Sequence, residues 1–297
     1  MIKTILPSNG HYPFIFQLAL KDKQGQIWLT TRTGLNMLKR NGNDIEHIGE
    51  ADITTLVEDA QGKVWIGNVS SGVNILDTTT WLSRSFTEVE GLSSNKMEDF
   101  FEYNQKIFLS NEGGMDIIDS SRKTIEHIGK TQGLNTNGIN GIIKDQYGMF
   151  WVTGNSGAGI DVLDLHENTI HHIGAAQGLD DSSLANTFQD NQGRIWFTTN
   201  HGGGIIDTKS NTIKYLNNLP GITVATHGKP LVEDQQGNMW MGTPLGIYII
   251  NEKTDSFKSF STKEGLIDNR ILSFNRHNDL RWNDDRIKHF KPSKFRR

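Results

Sequence analysis

Apolar and polar residues alternate in short runs of about five residues along this chain, and Gly-containing turns break the runs. Ile53, Leu56 and Val57 precede the turn Asp59-Ala60-Gln61-Gly62; Val64, Trp65 and Ile66 follow it. An Asp opening a turn can accept a hydrogen bond from the backbone two residues on, and Gly takes a positive φ without a Cβ clash. The pattern predicts a tight β-hairpin with Trp65 on its second strand. The whole unit predicts four strands: a at 53–58, b at 63–67, c at 72–76 and d at 83–89. No stretch carries a 3.6-residue apolar period, so almost no helix is expected.

The same phrase recurs. Asp22, Asp145, Asp190 and Asp234 each stand six residues before a Trp (Trp28, Trp151, Trp196, Trp240), with a Gly three residues before that Trp. Two further copies are imperfect. Phe108 replaces the Trp where Glu102 holds the acid's place and the turn lacks Gly, and Trp282 follows Arg276. The anchors Trp28, Trp65, Phe108, Trp151, Trp196, Trp240 and Trp282 are separated by 37, 43, 43, 45, 44 and 42 residues. A period of about 40–45 residues with four short strands per unit predicts a β-propeller. The expected fold is all-β: a single seven-bladed β-propeller over residues 1–297, with four-stranded antiparallel blades. After Trp282 the chain offers one more strand but no strand d, while Met1–Leu6 is a surplus strand at the other end. Met1–Leu6 is therefore expected to complete the last blade, which closes the ring and removes an exposed edge. The Trp residues are expected to form the core between blades, and each Asp-x-x-Gly its turn.

Composition narrows the function. Net charge is −4 with dispersed Lys and Arg, which points away from nucleic acid. No apolar run reaches the ~20 residues of a membrane span, and the first residues are too short an apolar stretch for a secretory signal. Cysteine is absent, which removes disulfides, thiol catalysis and Cys-based zinc sites.

The unit Asp-x-x-Gly-x-Ile/Val-Trp, then Gly and a short apolar strand, then Gly-Leu and Asn before the next blade, resembles the two-component regulator propeller repeat. Residues 53–72, 141–160 and 231–247 show it best, with Glu90-Gly91-Leu92-Ser93-Ser94-Asn95. The resemblance implies a periplasmic sensor domain of a bacterial histidine kinase, including hybrid kinases that respond to polysaccharide breakdown products. It implies a kinase module as partner, in the same or another chain, and signalling through homodimers. Typical members carry two consecutive propellers, an immunoglobulin-like domain, a membrane helix and a kinase; this sequence holds one propeller's worth.

Other chemistry fails on context. His47, His127 and His172 occupy the same outer strand of different blades, too far apart to share a zinc with ligands at about 2.0–2.3 Å. Gly154-Asn155-Ser156-Gly157 and His201-Gly202-Gly203-Gly204 approach hydrolase motifs, but a strand follows where a helix is required. No catalytic residue, metal or cofactor is expected. The b–c and d–a loops converge on one face of a propeller, where ligands bind in the concavity. Arg32, Asn111, Asn155, His201 and His227 are the expected ligand-binding residues, because such side chains pair with sugar hydroxyls and carboxylates. Asn95, Asn137 and Arg270 line the d–a side. The alternatives are an enzyme resembling the seven-bladed streptogramin lyases, which would draw on Glu112, His201 and His227, and a protein-interaction scaffold.

Overall fold

The computed structural model describes residues 18–31, 34–40, 44–49, 52–119, 124–154, 157–179, 184–199, 202–210, 212–216, 231–243, 245–251, 256–266 and 269. These residues form six four-stranded antiparallel sheets, each built from consecutive strands. Sheet I contains β1 (Ala19–Lys21), β2 (Ile27–Thr31), β3 (Gly34–Leu38) and β4 (Ile45–Gly49). Sheet II contains β5 (Ile53–Glu58), β6 (Lys63–Asn68), β7 (Val73–Asp77) and β8 (Ser83–Phe86). Sheet III contains β9 (Met97–Tyr103), β10 (Lys106–Asn111), β11 (Gly114–Asp119) and β12 (Thr124–Ile128). Sheet IV contains β13 (Ile139–Lys144), β14 (Phe150–Gly154), β15 (Ile160–Asp164) and β16 (Thr169–Ile173). Sheet V contains β17 (Leu184–Gln189), β18 (Ile195–Thr199), β19 (Gly202–Asp207) and β20 (Thr212–Tyr215). Sheet VI contains β21 (Leu231–Glu233), β22 (Met239–Thr243), β23 (Gly246–Asn251) and β24 (Ser256–Phe260). First strands of successive sheets lie side by side, β1 with β5 and onward to β21. The sheets are therefore the blades of an all-β propeller. Met1–Leu6 and the strands around Trp282, which carry the expected ring closure, lie outside the described residues.

Five of the anchors, Trp28 to Trp196, sit between blades, each in a core cluster with residues of the next sheet. Trp28 meets Ile53, Val64 and Ile66; Trp65 meets Met97, Phe100 and Ile107. Phe108 meets Ile139, Ile142 and Phe150; Trp151 meets Leu184 and Phe197; Trp196 meets Met239 and Met241. The Asp of each copy does more than shape its turn. Its Oδ1 accepts backbone N–H bonds from the turn, as Asp59 does from Gln61 and Lys63, both at 2.9 Å. Its Oδ2 accepts the indole N–H: Trp28 to Asp22 at 2.9 Å, Trp65 to Asp59 at 2.8 Å, Trp151 to Asp145 at 2.9 Å, Trp196 to Asp190 at 2.8 Å and Trp240 to Asp234 at 2.8 Å. A buried indole N–H needs such a partner. The irregular copy follows the same logic: Phe108 has no N–H, and the residue six before it is no Asp. Its turn needs no Gly because Asn104 and Gln105 take positive φ (51° and 63°) in a two-residue hairpin.

Turns also tie neighbouring blades. Lys23 N donates to Glu58 Oε2 at 2.8 Å, Gln146 N to Gln189 Oε1 at 2.9 Å, and Asn191 N to Glu233 Oε2 at 2.8 Å. Glu58, Gln189 and Glu233 are the last residues of β5, β17 and β21. Burial raises the Glu58 carboxyl above its ordinary value, against the Lys23 backbone bond and ammonium.

One strand is shorter than predicted. Strand d of sheet II ends at Phe86, not 89, because Thr87 caps a 3-10 turn, Glu88–Glu90.

Candidate functional site at the loop face

The b–c and d–a loops lie on one side of the blades, and side chains between them are heavily bonded to each other. In sheet III the hub is Asp116, at the start of β11 and fully buried. Its Oδ2 accepts Asn111 Nδ2 at 2.8 Å, Ser93 N at 2.9 Å and Ser93 Oγ at 3.0 Å. Its Oδ1 lies 3.0 Å from His127 Nδ1. A carboxylate out of water needs several such donors. Sheet IV repeats the hub: Asp161 Oδ2 accepts Asn135 N at 2.9 Å, and Oδ1 lies 3.0 Å from His172 Nδ1. In sheet I Asn36 pairs with His47 at 3.2 Å, and in sheet II Asn74 pairs with Ser85 at 2.5 Å. Each pair spans the third and fourth strands of its own sheet, which keeps the three histidines in separate blades. No group of three metal-ligating side chains occurs among the described residues.

Asn111 is on the expected face but 0% exposed. Its Nδ2 donates to Asp116, and its Oδ1 accepts Gly113 N at 2.7 Å and Ser93 Oγ at 2.9 Å. These bonds make it a brace behind the loop surface. Arg32, Asn155, His201 and His227 lie outside the described residues, as do Asn200 and Arg270. Glu112 is paired with Lys96, and that hydrogen bond raises the Lys96 ammonium pKa. The Ser93, Asp116 and His127 set places the carboxylate between hydroxyl and imidazole, whereas a nucleophilic triad needs the imidazole between them.

The Asn residues of the d–a loops also serve the loops. Asn95 Oδ1 accepts Glu88 N at 2.8 Å, Asn137 Oδ1 accepts Lys130 N at 2.8 Å, and Asn269 Oδ1 accepts Thr262 N at 2.6 Å. Each closes a short turn ending in Gly91, Gly133 or Gly265 at positive φ. The signal for this role was in the sequence: Gly-Leu, then Asn four residues after the Gly, in three loops.

Two versions of this loop exist. After sheets II and VI the outer strand reads Ser-Phe-Thr and Ser-Phe-Ser. Thr87 N donates to Glu90 Oε2 at 2.8 Å, and Ser261 N to Glu264 Oε2 at 2.7 Å, with both hydroxyls on the same carboxylates at 2.6 Å. Those bonds hold the Glu90 and Glu264 carboxyls below the usual range. After sheets III and IV the strand reads His-Ile-Gly. Gly129 N donates to Gln132 Oε1 at 2.8 Å, and Gly174 N to Gln177 Oε1 at 2.9 Å. A Cβ on Gly129 or Gly174 would stand 2.8 or 2.7 Å from the imidazole Nε2 of His127 or His172.

Residues 47–70, which cover the end of sheet I and the first hairpin of sheet II, match the family model described as two component regulator propeller. No curated protein matches the sequence. Among solved structures, two extracellular domains assigned to hybrid two component systems of B. thetaiotaomicron share the fold. Their TM-scores are 0.74 and 0.72 at 20% identity each, over 91% and 88% of this chain. This chain spans 37% of the length of each. Virginiamycin B lyase from Staphylococcus aureus is similar at TM-score 0.64 and 14% identity, over 82% of this chain and 83% of its own. Residues 47–70 thus match the two-component regulator propeller repeat, and the described residues fold as the blades of a propeller.

Proposed function

We propose that this chain is the ligand-recognising propeller of a two-component sensor. It is a non-enzymatic module on the extracellular or periplasmic side whose occupancy is passed to a histidine kinase module in the same or another chain. The match of residues 47–70 to the regulator propeller model carries this reading. The fold shared with extracellular domains of hybrid systems supports it. The ring is one domain completed by a seventh blade, and the sensor acts as a homodimer. Its ligand is a small carbohydrate breakdown product, held at the loop face by Arg32, Asn155, His201 and His227, with Asn111 fixing the loop beneath. Asn, His and Arg supply the paired donors and acceptors that hydroxyls and carboxylates need.

A thermal-shift screen of the chain against oligosaccharides, their acidic monomers and divalent metals tests the reading. A ligand at about 100 times its Kd stabilises the fold by about 2.7 kcal/mol. The expected result is a shift with a sugar that Arg32→Ala or His201→Ala removes. A shift with metal alone, together with turnover lost in His201→Ala, would replace this reading by lyase-like chemistry. No shift with any probe would overturn the small-molecule reading in favour of protein contacts.

A further inference from the structure

Two Asn-Gly pairs stand close together at the entry to sheet IV: Asn137-Gly138 in the d–a loop and Asn140-Gly141 in β13. An asparagine side chain can be attacked by the backbone nitrogen that follows it, and a following Gly adds no Cβ to block the approach. The structure treats the two pairs in opposite ways.

Asn140 is held. Its Nδ2 donates to Leu184 O of the next sheet at 2.7 Å, and Gly141 is buried in the ladder opposite Thr153. Asn137 is exposed, and Gly138 precedes the first ladder pair of β13, Ile139 with Gly154. Gly138 N donates to a loop hydroxyl, Thr136 Oγ1, at 3.0 Å. Lys130 N donates to Asn137 Oδ1 at 2.8 Å, so a donor already faces the oxygen on which negative charge builds during attack at Cγ. Among the described residues Asn137 Nδ2 has no acceptor, so nothing there retains the nitrogen that must leave. The matching loops share the Asn bond but not the Gly: Asn95 is followed by Lys96, and Asn269 by Arg270.

We propose that Asn137 is a site of spontaneous covalent modification, at which its side-chain amide becomes a carboxylate. Gly138 N gives its proton to hydroxide and bonds to Asn137 Cγ. The Cγ–Nδ2 bond breaks, ammonia leaves, and a cyclic imide remains. Water then breaks one of the two C–N bonds of that imide. Cleavage at Cγ leaves aspartate; cleavage at the main-chain carbonyl leaves isoaspartate, with the chain running through Cγ. Either route consumes one water and releases one ammonia, with no change of oxidation state. Both products add a carboxylate to the loop face. Aspartate keeps an acceptor for Lys130 N, whereas isoaspartate lengthens the main chain and displaces that acceptor. The inference is independent of the ligand read for this face.

The test incubates the folded full chain in mildly alkaline buffer made with heavy-oxygen water and maps it by tandem mass spectrometry. Trypsin cuts after Lys130 and Lys144, which places Asn135, Asn137 and Asn140 in one peptide. The expected result is heavy-oxygen label at position 137, at least about tenfold ahead of position 140, whose reaction must wait for local opening of the sheet. A synthetic peptide of residues 131–144, which has no ladder to protect it, should label at both Asn-Gly pairs. Gly138→Ala should slow conversion at 137 about tenfold, because the added Cβ crowds the attack. The comparison of 137 with 140 in the unaltered chain stands even if this variant melts early. Equal label at 137 and 140 in the folded chain would overturn the proposal. So would an unlabelled 137 under conditions that convert the peptide, or an undiminished rate in a folded Gly138→Ala chain.

Discussion

The loops leaving sheets II and VI and those leaving sheets III and IV do the same job with different chemistry. Both close a short turn, both end in a left-handed Gly, and both place a Leu in the core, as Leu92 and Leu134 show. One outer-strand residue separates them. Where it is Ser85 or Ser259, the residue two positions on keeps a side chain, and Thr87 or Ser261 joins Glu90 or Glu264 in a cap. Where it is His127 or His172, the imidazole fills that space, the residue becomes Gly, and a neutral Gln replaces the Glu. In these four loops the outer-strand side chain goes together with the identity of two loop positions, and with it the loop's dependence on acid.

The comparison breaks most severely at its hub. Asp116→Ala leaves the Ser93 N–H and the buried Asn111 amide without their acceptor and should cost about 1–3 kcal/mol for each in a denaturant melt. Asn74→Ala, which loses an exposed bond to Ser85, should cost about 1 kcal/mol or less. Equal losses would show that the buried hub has no special weight. Next comes Gly129→Thr, where the added Cβ meets His127; overpacking of this kind costs about 1–3 kcal/mol. Adding His127→Ser and Gln132→Glu converts the loop to the other version, and the triple variant should recover most of the lost melting temperature. A triple variant no better than the single one would disprove the rule.

Acid sharpens the same contrast with a smaller effect. The Glu90 and Glu264 carboxyls lie below their ordinary values, so their contribution is complete above the unfolded-state pKa and is lost as pH falls through the folded one. Amide protection factors at Thr87 and Ser261 should fall in that window, while those at Gly129 and Gly174, facing neutral Gln, stay flat. Glu90→Gln should abolish the acid response at Thr87 alone. Smallest is Glu58→Gln. The Glu58 carboxyl is raised by burial, so folding loses stability as pH rises through its folded pKa. The amide should leave stability at neutral pH unchanged or slightly higher, as Gln189 already fills the same position in sheet V. A clear drop in melting temperature would show that the charge itself is needed there.

Much of the fold was legible because turn chemistry is local. Asp and Gly at fixed distances from Trp specify a hairpin without any distant contact, and the strands of the second unit fall within a residue or two of expectation, apart from the end of strand d. The site was less legible. Asn111, Asn95 and Asn137 read as binding residues because Asn offers donors and acceptors, but those groups can be spent on neighbouring backbone as readily as on a ligand. Deciding between the two requires knowing what faces each amide. Asp116 and Asp161 carry no complete local signal for a related reason: each also takes a backbone N–H from a loop about 25 residues away, beyond any short motif.

The pairing of indole and carboxylate also constrains how such an array can diverge. A lone change of Trp65 to Phe would leave Asp59 with an unused buried oxygen, and a lone change of Asp59 to Ala would leave the Trp65 N–H buried without its acceptor. Either single step passes through a less stable intermediate. Copies should drift apart in coordinated pairs of changes, so that a blade which has lost its Trp is also one that has let its Asp go.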